Sequence, residues 1–186
     1  MSADSYVNTV IRALDDLDVG AVKTVATMLR AVRARGSTIL VAGNGGSAAT
    51  ASHMVTDLMF GRGLPEPGLR VVGLIDNQSV VTATGNDVSF DEVFARQVRR
   101  LGRPGDLLVL ISASGNSTNV IRAAEEARLL GVTVVALTGF DGGQLLDLSD
   151  IAIHVPTESG AYGPVEDAHL VVCHMLVHLL AVSEGN

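Results

Sequence analysis

Tryptophan is absent from this chain of 186 residues, and aromatic residues together make up only 3%. The core must therefore be packed from aliphatic side chains, which a 47% hydrophobic share supplies. Cysteine occurs once, at Cys173, so no internal disulfide can staple the fold. Cations are scarce: 13 Lys and Arg stand against 20 Asp and Glu, a net charge of −7. That balance disfavours non-specific nucleic-acid binding, which needs a basic face. No apolar leader precedes the segment from Asp4 to Asp18. The apolar stretch near Leu170 to Val182 is interrupted by His174 and His178 and reads as too short for a membrane span. One cytoplasmic domain, with neither nucleic acid nor membrane as partner, is the expectation.

Glycine, by contrast, is plentiful and placed where chemistry can use it. Residues 40 to 47 run from an apolar strand into Gly43-Asn-Gly-Gly-Ser47. Gly45 and Gly46 allow close backbone approach, and a helix beginning at Ser47 would offer unpaired N–H groups to an anion. A second apolar run, from Leu107, ends in the hydroxyl-rich turn Ser112-Ala-Ser-Gly-Asn-Ser117. Each turn alone is also ordinary connection and cap chemistry. Together, two strand-to-turn-to-helix cradles point to a ligand both phosphorylated and hydroxylated, a sugar phosphate. With so few cations, its phosphate would rest on backbone N–H groups and hydroxyls.

The periodicity predicts an α/β fold. Two amphipathic helices, Tyr6 to Leu17 and Val22 to Arg35, come first, the second closed by Gly36 as C-cap. Short aliphatic strands follow at Thr38 to Ala42, Leu69 to Ile75, Asp106 to Ile111, Thr133 to Thr138 and Ile151 to Val155. Helices from Ser47, Asn77, Phe90, Ser117 and Gln144 separate them. This alternation predicts a five-stranded parallel sheet with helices on both faces, a flavodoxin-like three-layer sandwich. The last helix, Pro164 to Ser183, is apolar around most of its circumference, which predicts packing against another subunit together with the helices of residues 1–36.

The candidate chemistry lies downstream of the first cradle. His53 and Asp57 are four apart on one helical face, with Cβ atoms about 5–6 Å apart. Such a pair can bind a divalent metal, act as a base and its partner, or be a surface hydrogen-bonded pair. Glu166, His169, His174 and His178 lie on or beside the last helix, with His174 and His178 on a shared face.

Gly43-Asn-Gly-Gly-Ser47, His53 six residues on, Gly85-Asn-Asp87, Ser112-Ala-Ser-Gly-Asn-Ser117, Leu137-Thr-Gly139 with Asp141-Gly-Gly143, and the Glu166 to His174 spacing occur in this order over almost the whole chain. The combination resembles the phosphoheptose isomerases, sugar-isomerase (SIS) domain proteins that isomerise sedoheptulose 7-phosphate. The resemblance implies a single SIS domain over residues 1–186. It implies substrate contacts at Asn44, Gly45, Gly46, Ser47, Asp57, Asn86, Asp87, Ser112, Ala113, Ser114, Ser117 and Glu166. It implies one Zn²⁺ per subunit on His53, Asp57, Glu166 and His174, with Asp57 and His174 catalytic. It further implies a homotetramer with sites at subunit interfaces. Asp57 stands where the family has glutamate, Glu166 where it has glutamine and Ala113 where it has threonine, while Gly163-Pro-Val replaces a stretch that carries arginine. Glu166 and His174 are eight residues apart, about 12 Å along an ideal helix and about 80° apart around it. One unbroken helix would strain to bring both to one ion, so either Glu166 precedes regular helix or two subunits complete the site. The implied reaction is a metal-assisted ketose–aldose isomerisation through an enediolate. The same chemistry on an octulose phosphate is an alternative, as is a non-catalytic SIS protein binding a sugar phosphate or a replication-initiator partner.

Overall fold

The computed structural model describes residues 2–181. Its elements run α1 (Ala3–Asp15), α2 (Val19–Arg35), β1 (Thr38–Gly43), α3 (Gly45–Phe60), β2 (Arg70–Gly73), α4 (Gln78–Asp87), a 3-10 turn (Phe90–Glu92), α5 (Ala95–Leu101), β3 (Leu107–Ser112), α6 (Thr118–Leu129), β4 (Thr133–Phe140), α7 (Gly143–Leu148), β5 (Ile151–Pro156) and α8 (Tyr162–Ala181). The strands form one parallel sheet in the order β2-β1-β3-β4-β5.

The inner strands β1, β3 and β4 are largely aliphatic because the sheet is covered on both faces there and both sets of alternating side chains are buried. The edge strand β2, by contrast, exposes Arg70 and Val72. Ile39, Val41, Val109 and Ile111 face a layer of α1, α2, α3 and α8. Their neighbours Leu40, Ala42, Leu108 and Leu110 face α5, α6 and α7. The expected three-layer α/β sandwich is thus the observed one. In this order the chain leaves β1 and β3 toward opposite edges of the sheet. Their carboxyl ends therefore flank a crevice, the place where open α/β sheets bind ligands.

Element boundaries differ from the sequence reading for local reasons. The first helix begins at Ala3 because Ser2 caps it, accepting from Ser5 N, and it ends at Asp15. The second starts at Val19 because the Asp18 carboxylate accepts from Gly20 N and Ala21 N, while Gly36 closes it in the left-handed conformation as expected. The α3 helix opens two residues early, at Gly45. The expected strand Leu69 to Ile75 shrinks to Arg70–Gly73, an edge strand paired only with β1, over Thr38 to Val41. The single helix expected from Phe90 is a 3-10 turn followed by α5.

The largest revision concerns α8, whose expected end at Ser183, with Val182, lies outside the described residues. At 20 residues it is long and apolar enough to cross a membrane, contrary to the sequence reading. It nonetheless packs as a core helix against α1, α2 and α3, burying Val165, Ala168, Val172, Cys173, Leu176 and Leu180. One chain covers only part of its apolar circumference, since half-buried Val171, Met175 and Leu179 line an open apolar groove beside Val19.

Candidate active site

Both cradles sit at the β1/β3 crevice, and they are built differently. In the first, β1 passes through Asn44 into α3. Gly45 has φ +54, a left-handed conformation that a side chain would strain. Gly46 is required for space, since a Cβ there would lie 2.2 Å from the Glu166 carboxylate. This turn is therefore packed against a carboxylate of its own chain. In the second cradle, Ser112 Oγ accepts from Gly115 N at 3.2 Å and Ser114 Oγ from Asn116 N at 3.3 Å. The turn is braced from behind, where Gln144 N donates to Asn116 Oδ1 at 3.1 Å. Ser117 caps α6 by position, its carbonyl accepting from Val120 N and Ile121 N, while its hydroxyl makes no capping bond and stays available.

Between the cradles lies a hollow of about 140 Å³, lined by Asn44, Ser47, Ile111, Ser112, Ala113, Ser114, Ser117, Tyr162 and Glu166. No Lys or Arg lines it, in keeping with an anion site made of hydroxyls and backbone N–H groups. Asn44, Ser47, Ser112, Ala113, Ser114, Ser117 and Glu166 thus meet as expected. Asn86 and Asp87 do not. They end the exposed helix α4, and Asn86 Nδ2 donates to Asp87 Oδ1 at 2.8 Å.

Farther along α3 and α8, three side chains converge. His53 Nε2 lies 2.9 Å from His174 Nε2 and 3.1 Å from Asp57 Oδ2, and His174 Nε2 lies 3.8 Å from the same oxygen. Donor atoms about 2.0–2.1 Å from a tetrahedral Zn²⁺ stand about 3.3 Å apart, so these separations fit one such ion. Two neutral nitrogens and one carboxylate are a suitable donor set, and three protein ligands leave one position open. Glu166 does not belong to this group. It lies within unbroken α8, two helical turns before His174, and the helix directs it to Gly46 instead. Of the four expected ligands, three converge within one chain, and Glu166 stands apart from them.

The other histidines lie outside the triad. His169 is fully buried; its Nε2–H donates to Thr138 O at 3.2 Å, while Nδ1 has no partner among the described residues. Burial lowers its pKa to about 4. His154 Nδ1 lies 3.0 Å from Thr138 Oγ1, and burial lowers its pKa too. His178 lines an exposed apolar groove and is not in the triad. Burial also pushes the Cys173 thiol up to about 12, with the Asp57 charge adding to the effect.

Two residues, one lining the hollow and one behind it, escaped the sequence reading. Tyr162 lines it and stands edge-on to Phe140, ring centroids 5.0 Å apart. Asn119, the second residue of α6, is 2% exposed and exchanges two hydrogen bonds with Asn44. The clue to Asn119 was its place two residues beyond the hydroxyl turn, where a helix's first turn faces the preceding cradle.

Residues 5–139 match the SIS domain family. The phosphoheptose isomerase of Chlorobaculum parvum is 39% identical over 90% of this chain and 81% of its own length. The chain belongs to the phosphoheptose isomerases. Solved structures agree: the Neisseria gonorrhoeae phosphoheptose isomerase superposes with a TM-score of 0.85 at 34% identity, covering 95% of this chain and 93% of that one. The Francisella tularensis phosphoheptose isomerase gives 0.87 at 31%, with the same coverage. The family match takes in both cradles, His53 and Asp57, while His174 lies beyond it. Membership in this family makes the protein an enzyme of the phosphosugar aldose–ketose isomerase kind.

Proposed function

We propose that the protein interconverts sedoheptulose 7-phosphate and glycero-manno-heptose 7-phosphate through an enediolate. The carrying observation is the convergence of His53, Asp57 and His174 in the same chain as a hydroxyl-lined, cation-free hollow. The phosphate takes the second cradle, where Ser112, Ser114, Ser117 and the N-terminus of α6 supply donors. Ser47 and His53 are six residues apart on α3, and Glu166 and His174 eight apart on α8. The hollow and the triad are therefore offset by about 9–12 Å along these helices. At roughly 1.3 Å per bond, the path from the phosphorus of an extended heptulose 7-phosphate to C2 is about 9 Å. A pentulose 5-phosphate falls short of that reach.

His53, Asp57 and His174 would hold one Zn²⁺ per chain, which polarises the sugar carbonyl and stabilises negative charge on its oxygen. Asp57 presents Oδ2 to the two imidazoles, leaving Oδ1 for proton transfer. That oxygen takes a proton from C1; the C–H pair becomes the C1=C2 bond and the carbonyl pair moves to O2. The same carboxyl returns the proton to C2 while C1 becomes the aldehyde carbon. His174, more than half exposed, is the acid partner that shifts the hydroxyl proton between O1 and O2. The hollow binds the substrate's far end and keeps the reacting carbons at the triad.

Asn86 and Asp87, remote from the hollow, enter the site from a neighbouring chain of a cytoplasmic homotetramer in this reading. The test is incubation with pentulose, heptulose and octulose phosphates, with detection of the aldose. Turnover should be greatest for the heptulose. Conversion of none of them by zinc-replete protein refutes the reading.

A further inference from the structure

Asn44 caps α3 by position but makes no side-chain bond to that helix. Its Nδ2 instead donates to Asn119 Oδ1 at 2.8 Å, and its Oδ1 accepts from Asn119 Nδ2 at 2.9 Å. Asn119 is nearly fully buried and does not line the hollow, whereas Asn44 does. Each amide has two N–H groups and two acceptor positions, so Asn44 keeps one of each for the hollow after pairing. The pair thereby ties the first turn of α6, which the hydroxyl loop enters, to the start of α3, which carries His53 and Asp57.

We propose that Asn119 is a positioning residue that acts through Asn44 to hold the hydroxyl loop in register with the α3 end of the site. This rests on the reading above, in which phosphate occupies the hydroxyl loop and the reacting carbons lie at the triad. A substrate gripped at both ends is sensitive to the spacing between its grips, and a misplacement of about 1 Å can cost about 100-fold in rate. The loop itself does not depend on Asn119. Ser112 with Gly115, Ser114 with Asn116, and Asn116 with Gln144 form its internal bonds. Removing Asn119 should therefore leave inorganic phosphate binding intact while the reaction suffers.

The experiment measures kcat on sedoheptulose 7-phosphate and the inhibition constant of inorganic phosphate for Asn119→Ala, Asn44→Ala and the double variant. Each single variant should lose about 10- to 100-fold in kcat, the double should lose no more than the worse single, and phosphate inhibition should not change. Unchanged kcat, additive losses, or phosphate inhibition weakening in parallel would overturn the proposal. If Asn119→Ala fails to fold, Asn44→Ala decides, because wild-type kcat there contradicts action through Asn44. Asn119→Asp, which keeps only the bond donated by Asn44, should then fall between wild type and Asn44→Ala. If the wild-type protein turns over no ketose phosphate, the isomerase reading fails, and calorimetry still tests the clamp. The affinity advantage of sedoheptulose 7-phosphate over inorganic phosphate should disappear in Asn44→Ala, and its persistence would overturn the clamp itself.

Discussion

The two glycine turns at the β1/β3 crevice share a design in sequence and differ in use. The first, Asn44 to Ser47, is engaged by its own chain: Glu166 packs on Gly46, and Asn44 is bonded to Asn119. The second, Ser112 to Ser117, is braced from outside by α7, and Ser117 leaves its hydroxyl toward the hollow uncommitted. A turn whose backbone is already beside a carboxylate is a poor seat for a phosphate, because like charges repel at short range. The difference teaches that a glycine-rich turn before a helix marks an anion site only where the rest of the fold leaves it free. In the proposed reading the first cradle positions, and the second binds.

The sharpest way to test that division is at the triad, two of whose three residues the first cradle's helix carries. Asp57→Asn and His174→Gln should each lower kcat by about 100-fold or more and release the metal, read by steady-state kinetics and metal analysis. Next in size is a pH effect behind the second cradle. His169 donates to Thr138 O, and the adjacent Gly139 N donates to Ala113 O at 2.9 Å. Its pKa is lowered from 6.5 to about 4 in the folded chain. Between those values the unfolded chain holds more protons, so this contribution is present above pH 6.5 and is lost as pH falls toward 4. Up to about 3 kcal/mol should disappear in denaturant titrations across that window, and His169→Leu should lack the slope. Ser117→Ala should raise KM about tenfold with little change in kcat, the cost of one hydrogen bond to a charged group. Smallest of all, Gly46→Ala should lower kcat a few-fold by pushing Glu166 aside, since the obstruction is the end of a flexible side chain. Adding Glu166→Ala to it should relieve the clash, and an unrelieved loss would place the phosphate against the first cradle after all.

Much of this architecture was legible in the residues. Aliphatic runs such as Leu107 to Ile111, separated by helical segments, encode a sheet buried on both faces, and burial on both sides is what the strands show. The i, i+4 spacing of His53 and Asp57 placed them on one face, and the resemblance supplied His174. What could not be read was contact between distant segments. Local spacing says nothing of where α8 lies against α3, so it could not show that the helix carrying His174 to the triad carries Glu166 to Gly46. The same gap hid Asn119, whose buried partner lies 75 positions earlier. It also hid how far α8 is covered by α1 and α2, which lie near the opposite end of the chain.

Zinc stoichiometry of the purified protein, measured beside that of Asp57→Asn, tests the central claim most directly. One zinc per chain in the wild type, lost in the variant together with turnover, is the expected result. Zinc-free protein that isomerises a heptulose phosphate at the full rate would contradict the account.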